Sequence, residues 1–296
     1  LIKTPTDPDT TAQLLADHGY FAGRELTVPV FLSLSMQRPL LLEGEPGVGK
    51  TELARVLAQA FDAPLIRLQC YEGLDVSQAA YEWNVARQML QIRLASEKAQ
   101  NKGQSAIDEK GLYSKDLLIE RPLLAALTSP ARPVLLIDEL DRADEPFEAF
   151  LLELLADYQL TIPELGTITA RQPPIVVITS NRTREIHDAL KRRCLYAWVN
   201  YPDAERELKI VREKAPGISD ALSEQVVRFV QASRKIDLFK PAGIAETIDW
   251  ANALQTLNTT SLDRDRIEDT LGVLLKHQED IERMRQEDLD ALITQP

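Results

Sequence analysis

The run Gly44-Glu45-Pro46-Gly47-Val48-Gly49-Lys50-Thr51 places three glycines, a lysine and a threonine directly after the apolar stretch Leu40-Leu41-Leu42. Glycine at 44, 47 and 49 lets the main chain wrap until successive N–H groups converge on one cluster of anionic oxygens. A helical pattern starts at Lys50, with Leu53, Val56, Leu57 and Ala60 on one face, so its positive N-terminus adds to the same pull. The spacing G-x-x-x-x-G-K-[ST] suits a nucleoside triphosphate such as ATP: Lys50 reaches its β and γ phosphates, and the Thr51 hydroxyl holds Mg²⁺. Glu45, Pro46, Val48 and the following Glu52 complete this candidate loop.

A second constellation closes the apolar run Val134-Leu135-Leu136-Ile137 with Asp138-Glu139. In an open sheet of this kind the carboxyl ends of the strands line the ligand edge. Asp138 is then a second ligand for the magnesium at Thr51. Glu139 is placed to orient and deprotonate a water for in-line attack on the γ-phosphate. Asp141 and Asp144 read as exposed carboxylates that cap the next helix. Another buried run, Ile175-Val176-Val177-Ile178, ends at Asn181, whose amide can hold the attacking water or the γ-phosphate. Arg192 and Arg193 precede the last strand. They suit a helix C-terminus, and either can equally be a finger that stabilises a phosphoryl transition state, worth ~10³–10⁵ in rate.

Continuous apolar strands near 40–43, 134–138 and 175–181 alternate with amphipathic stretches up to residue 201, which calls for a mostly parallel sheet covered on both faces. "VSQAAYEWNVARQMLQIRLASEKA" reads as one long helix, and "DLLIERPLLAALTS" as a helix bent or restarted by its proline. "QLTIPELGTITA" reads as a hairpin and "REIHDALKRR" as a helix. After Pro202 only helical periodicity remains, entered through Asp203 as an N-cap. The expected organisation is a helical extension over 1–25, an α/β nucleotide-binding domain over 26–201 and a helical lid over 202–296.

Charge narrows the partners. There are 34 Lys plus Arg against 46 Asp plus Glu, a net charge of −12, which disfavours generic binding to a phosphate backbone. Cys70 and Cys194 lie far apart and read as reduced thiols, and the three histidines show no metal spacing. No apolar run approaches the ~20 residues of a membrane span, and the N-terminus lacks a signal-peptide core, so the expected location is the cytoplasm. Asn101-Lys102-Gly103-Gln104 imitates the start of the guanine-reading N-K-x-D but lacks its aspartate, which sets a solitary GTPase aside.

Taken in order, "GEPGVGKT", "VLLIDELD", "IVVITSN" and "ALKRRC", followed by a helical module, resemble the AAA+ ATPases. The hairpin "LTIPELGTIT" between the acidic strand and the Asn181 strand looks like the pre-sensor hairpin of the clade that holds MoxR proteins and magnesium chelatase. "CYEGLDVSQAAYEWNVARQML", "HDALKRRCLYAWVNYP" and "KPAGIAETIDWANAL" are similar to the MoxR proteins linked to maturation of aerobic carbon monoxide dehydrogenase (CoxD-like). The likeness runs from residue 22 to residue 257.

The resemblance implies an α/β P-loop fold with a helical lid and a homo-oligomeric ring, a hexamer or similar, with ATP and Mg²⁺ as cofactors. It further implies a finger reaching from one subunit to the next, with Arg193 the best match and Arg192 in reserve. A von Willebrand factor A-type partner and a metalloenzyme client are implied as well. A nucleic-acid motor is the alternative, because sister clades are helicases. One departure stands out: relatives carry a sensor arginine in a lid phrase such as S-P-R-A, and "FKPAGIAET" has none. Lys240, Arg234 and Lys235 are the substitutes within reach.

Overall fold

The computed structural model describes residues 4–102 and 109–294. Helices α1 (Pro8–Ala16) and α2 (Arg24–Met36) precede strand β1 (Leu40–Gly44) and helix α3 (Lys50–Ala60). Then follow β2 (Leu65–Gln69), α4 (Val76–Ala79), β3 (Tyr81–Trp83), α5 (Val85–Lys102), α6 (Glu109–Leu112) and β4 (Leu118–Glu120). Next come α7 (Pro122–Thr128), β5 (Val134–Asp138), α8 (Glu145–Asp157), β6 (Gln159–Ile162) and β7 (Gly166–Thr169). The sheet elements close with β8 (Ile175–Ser180), α9 (Asp188–Arg193) and β9 (Leu195–Val199). The chain goes on as α10 (Ala204–Lys214), α11 (Asp220–Ser233), α12 (Ile244–Thr256), α13 (Arg264–Leu274), α14 (Gln278–Arg285) and α15 (Leu289–Thr294).

The main sheet has five strands in the order β2-β5-β8-β1-β9, flanked by helices. Every residue of β1, β5 and β8 is buried, as expected of inner strands covered on both faces, whereas β2 and β9 at the edges are only partly so. β2 pairs β5 in parallel with Gln69 opposite Asp138, and β5 pairs β8 in parallel. The hairpin read from "QLTIPELGTITA" is β6–β7, antiparallel, with Leu160 opposite Ile168.

Two of the expected helices differ. The capping box at Asp75 starts α4, but that helix lasts four residues. Tyr81-Glu82-Trp83 instead forms a strand on β4, with Tyr81 opposite Glu120 and Trp83 opposite Leu118. The aromatic residues favour the extended form, and a cross-strand partner far along the chain decides the matter. Trp83 also packs edge-on against Tyr113, with ring centroids 5.2 Å apart. The proline of the second segment sits at N1 of α7, and Arg121 before it is extended, so residues 118–120 serve as a strand and not as a helix. Asn101 and Lys102 lie in the last turn of α5, and residues 103–104 fall outside the described residues.

The chain divides into two compact units. Leu32–Leu41 and Leu57–Tyr196 belong to the first; Pro5–Phe31, Leu42–Val56 and the chain from Ala197 onward belong to the second. The first is built on the apolar faces of β2, β5 and β8 with Leu123, Leu127, Phe147, Leu151 and Leu154. The second centres on Phe229 and Trp250, both fully buried, whose ring centroids lie 5.2 Å apart. The Trp250 indole N–H is satisfied by the Thr270 hydroxyl at 2.7 Å.

The second unit also buries a charge. Glu207 is 0% exposed, and its carboxylate accepts from Arg234 at 2.7 Å on each oxygen, from Gln231 at 2.6 Å and from Thr247 at 2.9 Å. Asp203, at the N-cap of α10, accepts from the Arg206 amide at 2.8 Å and fixes where that helix begins. Arg234→Met should cost about 3–5 kcal/mol, because it strands a buried carboxylate. The Glu207→Leu/Arg234→Met double variant should recover most of that loss. Urea midpoints of the three proteins check both outcomes.

Candidate functional site

In the second unit, β1 ends at Gly44 and α3 begins at Lys50, so the glycine loop joins a buried strand end to a helix N-terminus. Gly47 sits at φ +79°, a conformation that side chains rarely adopt, which fixes the residue type there. The Lys50 ammonium, 6% exposed, donates to the carbonyls of Gly44 at 2.6 Å and Glu45 at 2.7 Å. Thr51 lies in the first turn of α3. Tyr20, from the segment between α1 and α2, lies against the loop, its hydroxyl 3.4 Å from the Gly49 carbonyl, and burial pushes the phenol pKa upward. A loop of this build fits a phosphate group: three glycines free its main chain, a lysine lies against it, and a helix N-terminus adds its field.

The same loop touches the helical module. The Gly47 carbonyl accepts from the amides of Ile244 at 2.9 Å and Ala245 at 3.3 Å, the first two residues of α12. The approach is close enough that a Cβ on Gly243 would lie 2.8 Å from the Gly47 Cα. The orphan donors of a helix N-terminus are thus met by a carbonyl of the phosphate loop.

In the first unit, Asp138 ends β5 and is 2% exposed. Its Oδ1 accepts from the Thr179 hydroxyl at 2.6 Å, and the same hydroxyl accepts from the Glu139 amide at 2.9 Å. Arg67, from β2, donates to Oδ2 at 2.6 and 3.0 Å. Glu139 adopts φ +55°, an uncommon backbone for a residue with a side chain. Its carboxylate receives Gln69 at 3.0 Å and Asn181 at 3.2 Å, and it pairs with Arg142 at 3.0 Å. The arrangement brings Glu139 and Asn181 together. The hard carboxylate oxygens fit a magnesium ion.

Asp141 departs from its expected role. It is 3% exposed and does not cap a helix; it accepts from the Asn181 amide at 3.1 Å, and from the Thr183 amide at 2.9 Å and hydroxyl at 2.6 Å. It therefore ties the chain leaving β8 to the turn after β5. Asp144 does cap α8, accepting from the Phe147 amide at 3.0 Å. Around Cys70, burial first and then the nearby carboxylates push the thiol pKa up to about 12, so it stays protonated and inert at neutral pH.

The AAA domain family (dynein-related subfamily) matches residues 39–194 of this chain, a span that holds both the glycine loop and the acidic strand end. The chain belongs to that family. It is a P-loop ATPase. It is similar to an uncharacterised protein of Staphylococcus haemolyticus, 27% identical over 231 residues, 76% of this chain and 78% of that one. An uncharacterised protein of Staphylococcus aureus is 25% identical over 229 residues, 75% of this chain and 77% of that one. Among solved structures, a variant of Thermotoga maritima RuvB has a TM-score of 0.50 at 19% identity, over 92% of this chain and 74% of that chain, a likeness of fold.

Within this AAA chain, Arg192 and Arg193 end α9 with exposed side chains. The carbonyls at that helix end are served by Arg38, which donates to Arg192 at 2.8 Å and to Arg193 at 3.0 Å. Of the three substitutes for a lid arginine, Arg234 is committed to Glu207, to the Ala242 carbonyl at 2.8 Å and to the Tyr201 ring, 4.7 Å from its centroid. Lys235 and Lys240 are exposed.

Sequence reasoning missed Arg67, Gln69, Thr179, Arg38 and Gly243. Only Gly243, just before an apolar helix, left a local trace. Gly243→Ala should drive the two backbones apart, lowering nucleotide affinity about tenfold through the lost hydrogen bonds. The Ile244 amide should then exchange faster. A fluorescent-nucleotide titration and hydrogen exchange read the two effects.

Proposed function

We propose that this ATPase is a MoxR-type remodeller that works as a homo-oligomeric ring, a hexamer or similar, and assists maturation of a metalloenzyme, aerobic carbon monoxide dehydrogenase among the candidates. The observation that carries the catalytic part is Glu139, held by Gln69, Asn181 and Arg142 at the end of a buried strand in a chain of this family. The β6–β7 hairpin between β5 and β8 supports the finer assignment, because the MoxR resemblance calls for it at that place in the order. A von Willebrand factor A-type partner and a soluble, cytoplasmic setting belong to the same reading. Among the described residues no helix is long and apolar enough to cross a membrane.

In this scheme the amides of residues 44–51, with Glu45, Pro46, Val48 and Glu52 shaping the loop, hold the triphosphate of ATP, and Lys50 turns from the Gly44 and Glu45 carbonyls onto the phosphates. Thr51 and Asp138 would hold Mg²⁺, which when bound would neutralise charge on the phosphate oxygens. Glu139 takes the proton of the attacking water, and Asn181 orients that water. Arg193, with Arg192 behind it, stabilises charge in the site of a neighbouring subunit. The Arg38 cap supports this role: the helix carbonyls already have their donor, which leaves both arginine side chains for other work. The −12 net charge weighs against the nucleic-acid motor.

Glu139→Gln should bind ATP with near-normal affinity and turn over about 10²–10⁴-fold more slowly, the usual worth of a general base. Steady-state phosphate release beside nucleotide binding checks this, and normal turnover would remove Glu139 as the base. Proteins co-eluting with the ATP-loaded Glu139→Gln form should include the client. Arg193→Ala should bind ATP and hydrolyse poorly. Adding Lys50→Ala subunits, whose arginines are intact, should partly restore its activity, and no restoration in mixing assays would argue against a finger acting between subunits.

A further inference from the structure

Arg67 stands two residues before the end of β2, one strand over from the acidic turn. Its guanidinium places Nη2 2.6 Å and Nε 3.0 Å from Oδ2 of Asp138, while Oδ1 takes the Thr179 hydroxyl at 2.6 Å. Nη2 also donates to the Gln69 amide oxygen. The pair is lopsided in exposure: the Asp138 side chain is 3% exposed and that of Arg67 54%. The carboxylate is thus buried in the fold, whereas more than half of the arginine side chain is open to solvent.

We propose that Arg67 is a resident counter-cation for Asp138 in the metal-free protein. It leaves Oδ2 when a divalent ion takes that oxygen, and so sets the Mg²⁺ concentration at which nucleotide is held. The proposal rests on Asp138 being a metal ligand. A buried carboxylate needs donors or a cation on its oxygens, and two charge-assisted hydrogen bonds from a guanidinium supply them. Magnesium needs the same lone pairs in near-octahedral geometry and usually takes only one or two carboxylates beside phosphate oxygens. Two cations on one oxygen repel, so metal entry is an exchange and its apparent affinity is reduced by whatever Arg67 contributes. The half-exposed guanidinium keeps that contribution small, which makes the exchange reversible and not a block.

The test is a Mg²⁺ titration of the full chain with a fluorescent ATP analogue, read as bound nucleotide and needing no turnover. Arg67→Gln should lower the half-saturating Mg²⁺ concentration about three- to tenfold, the modest shift expected of a partly exposed pair. Arg67→Lys, which keeps the charge without the fork, should shift it less and in the same direction. Analogue binding in EDTA should match the parent, and the metal-free melting temperature of Arg67→Gln should fall by about 2–4 °C.

An unchanged or raised Mg²⁺ midpoint in Arg67→Gln would overturn the proposal. So would altered binding in EDTA, which would mean that Arg67 meets the nucleotide itself. Should Arg67→Gln fail to fold, the midpoint of Arg67→Lys decides by the same criterion. Asp138→Asn separates the layers. If it raises the midpoint while the Arg67 variants do nothing, only the counter-cation idea fails. If it leaves the midpoint unmoved, the reading of Asp138 as the metal ligand fails and takes the proposal with it.

Discussion

A carboxylate buried at the tip of a strand must be met by donors, and Asp138 is that carboxylate. Removing such a charge from water costs several kcal/mol unless each oxygen finds a partner. The Thr179 hydroxyl meets one oxygen and Arg67 the other. The same threonine oxygen accepts the Glu139 amide, so a single hydroxyl fixes the aspartate and the turn that follows it. Glu139 then adopts its left-handed backbone, and the chain bends sharply enough for Asp141 to hold the exit of β8. Three acidic residues within four positions are each held by named donors: Asp138 by Thr179 and Arg67, Glu139 by Gln69 and Asn181, Asp141 by Asn181 and Thr183.

Sequence order made part of this legible. The glycine loop, the acidic strand end and Asn181 stood out because their spacing along the chain is itself the signal, with a buried strand before each. The partners that hold them were invisible for a related reason. Arg67 lies 71 residues from Asp138, Gln69 lies 70 from Glu139, and Arg38 lies 155 from Arg193. Only the strand order brings such pairs together, and no local pattern encodes it. Asp141 was misread on the same ground: a carboxylate just ahead of a helix looks like a cap, and what claims it is the backbone just past the end of β8, 40 residues later. The short strand Tyr81–Trp83 was missed inside an apparent helix because its partner β4 follows a long helical insertion.

The missing lid arginine takes a different meaning beside Gly47. Where the MoxR resemblance implies an S-P-R-A phrase the sequence has "KPAG", and at that point the second unit brings Gly243 against Gly47 and the α12 N-terminus onto the Gly47 carbonyl. A long cation reaching from the lid is one way for a helical module to register what the phosphate loop holds. A direct backbone contact is another, and it needs small residues on both sides, which this chain supplies as two glycines. Arg234 cannot take the cation's place without breaking the buried Glu207 network, because all three of its guanidinium nitrogens are engaged there.

Those two devices would respond to different things. A side-chain sensor reads the charge of the terminal phosphate across space, with a strength that falls as salt screens it. Two hydrogen bonds to the Gly47 carbonyl respond instead to the geometry of the loop, since a small rotation of one peptide plane makes or breaks both. A phosphate bound at this loop would act on the peptide whose Gly47 carbonyl meets α12. Coupling of this kind varies little with ionic strength and is lost sharply with any side chain at 243, where the added carbon would meet backbone on one side and the Glu246 carboxylate, 2.8 Å away, on the other. In this chain, then, the Gly47 carbonyl ties the glycine loop to the start of α12 by two hydrogen bonds, and Arg234 serves the stability of the helical module.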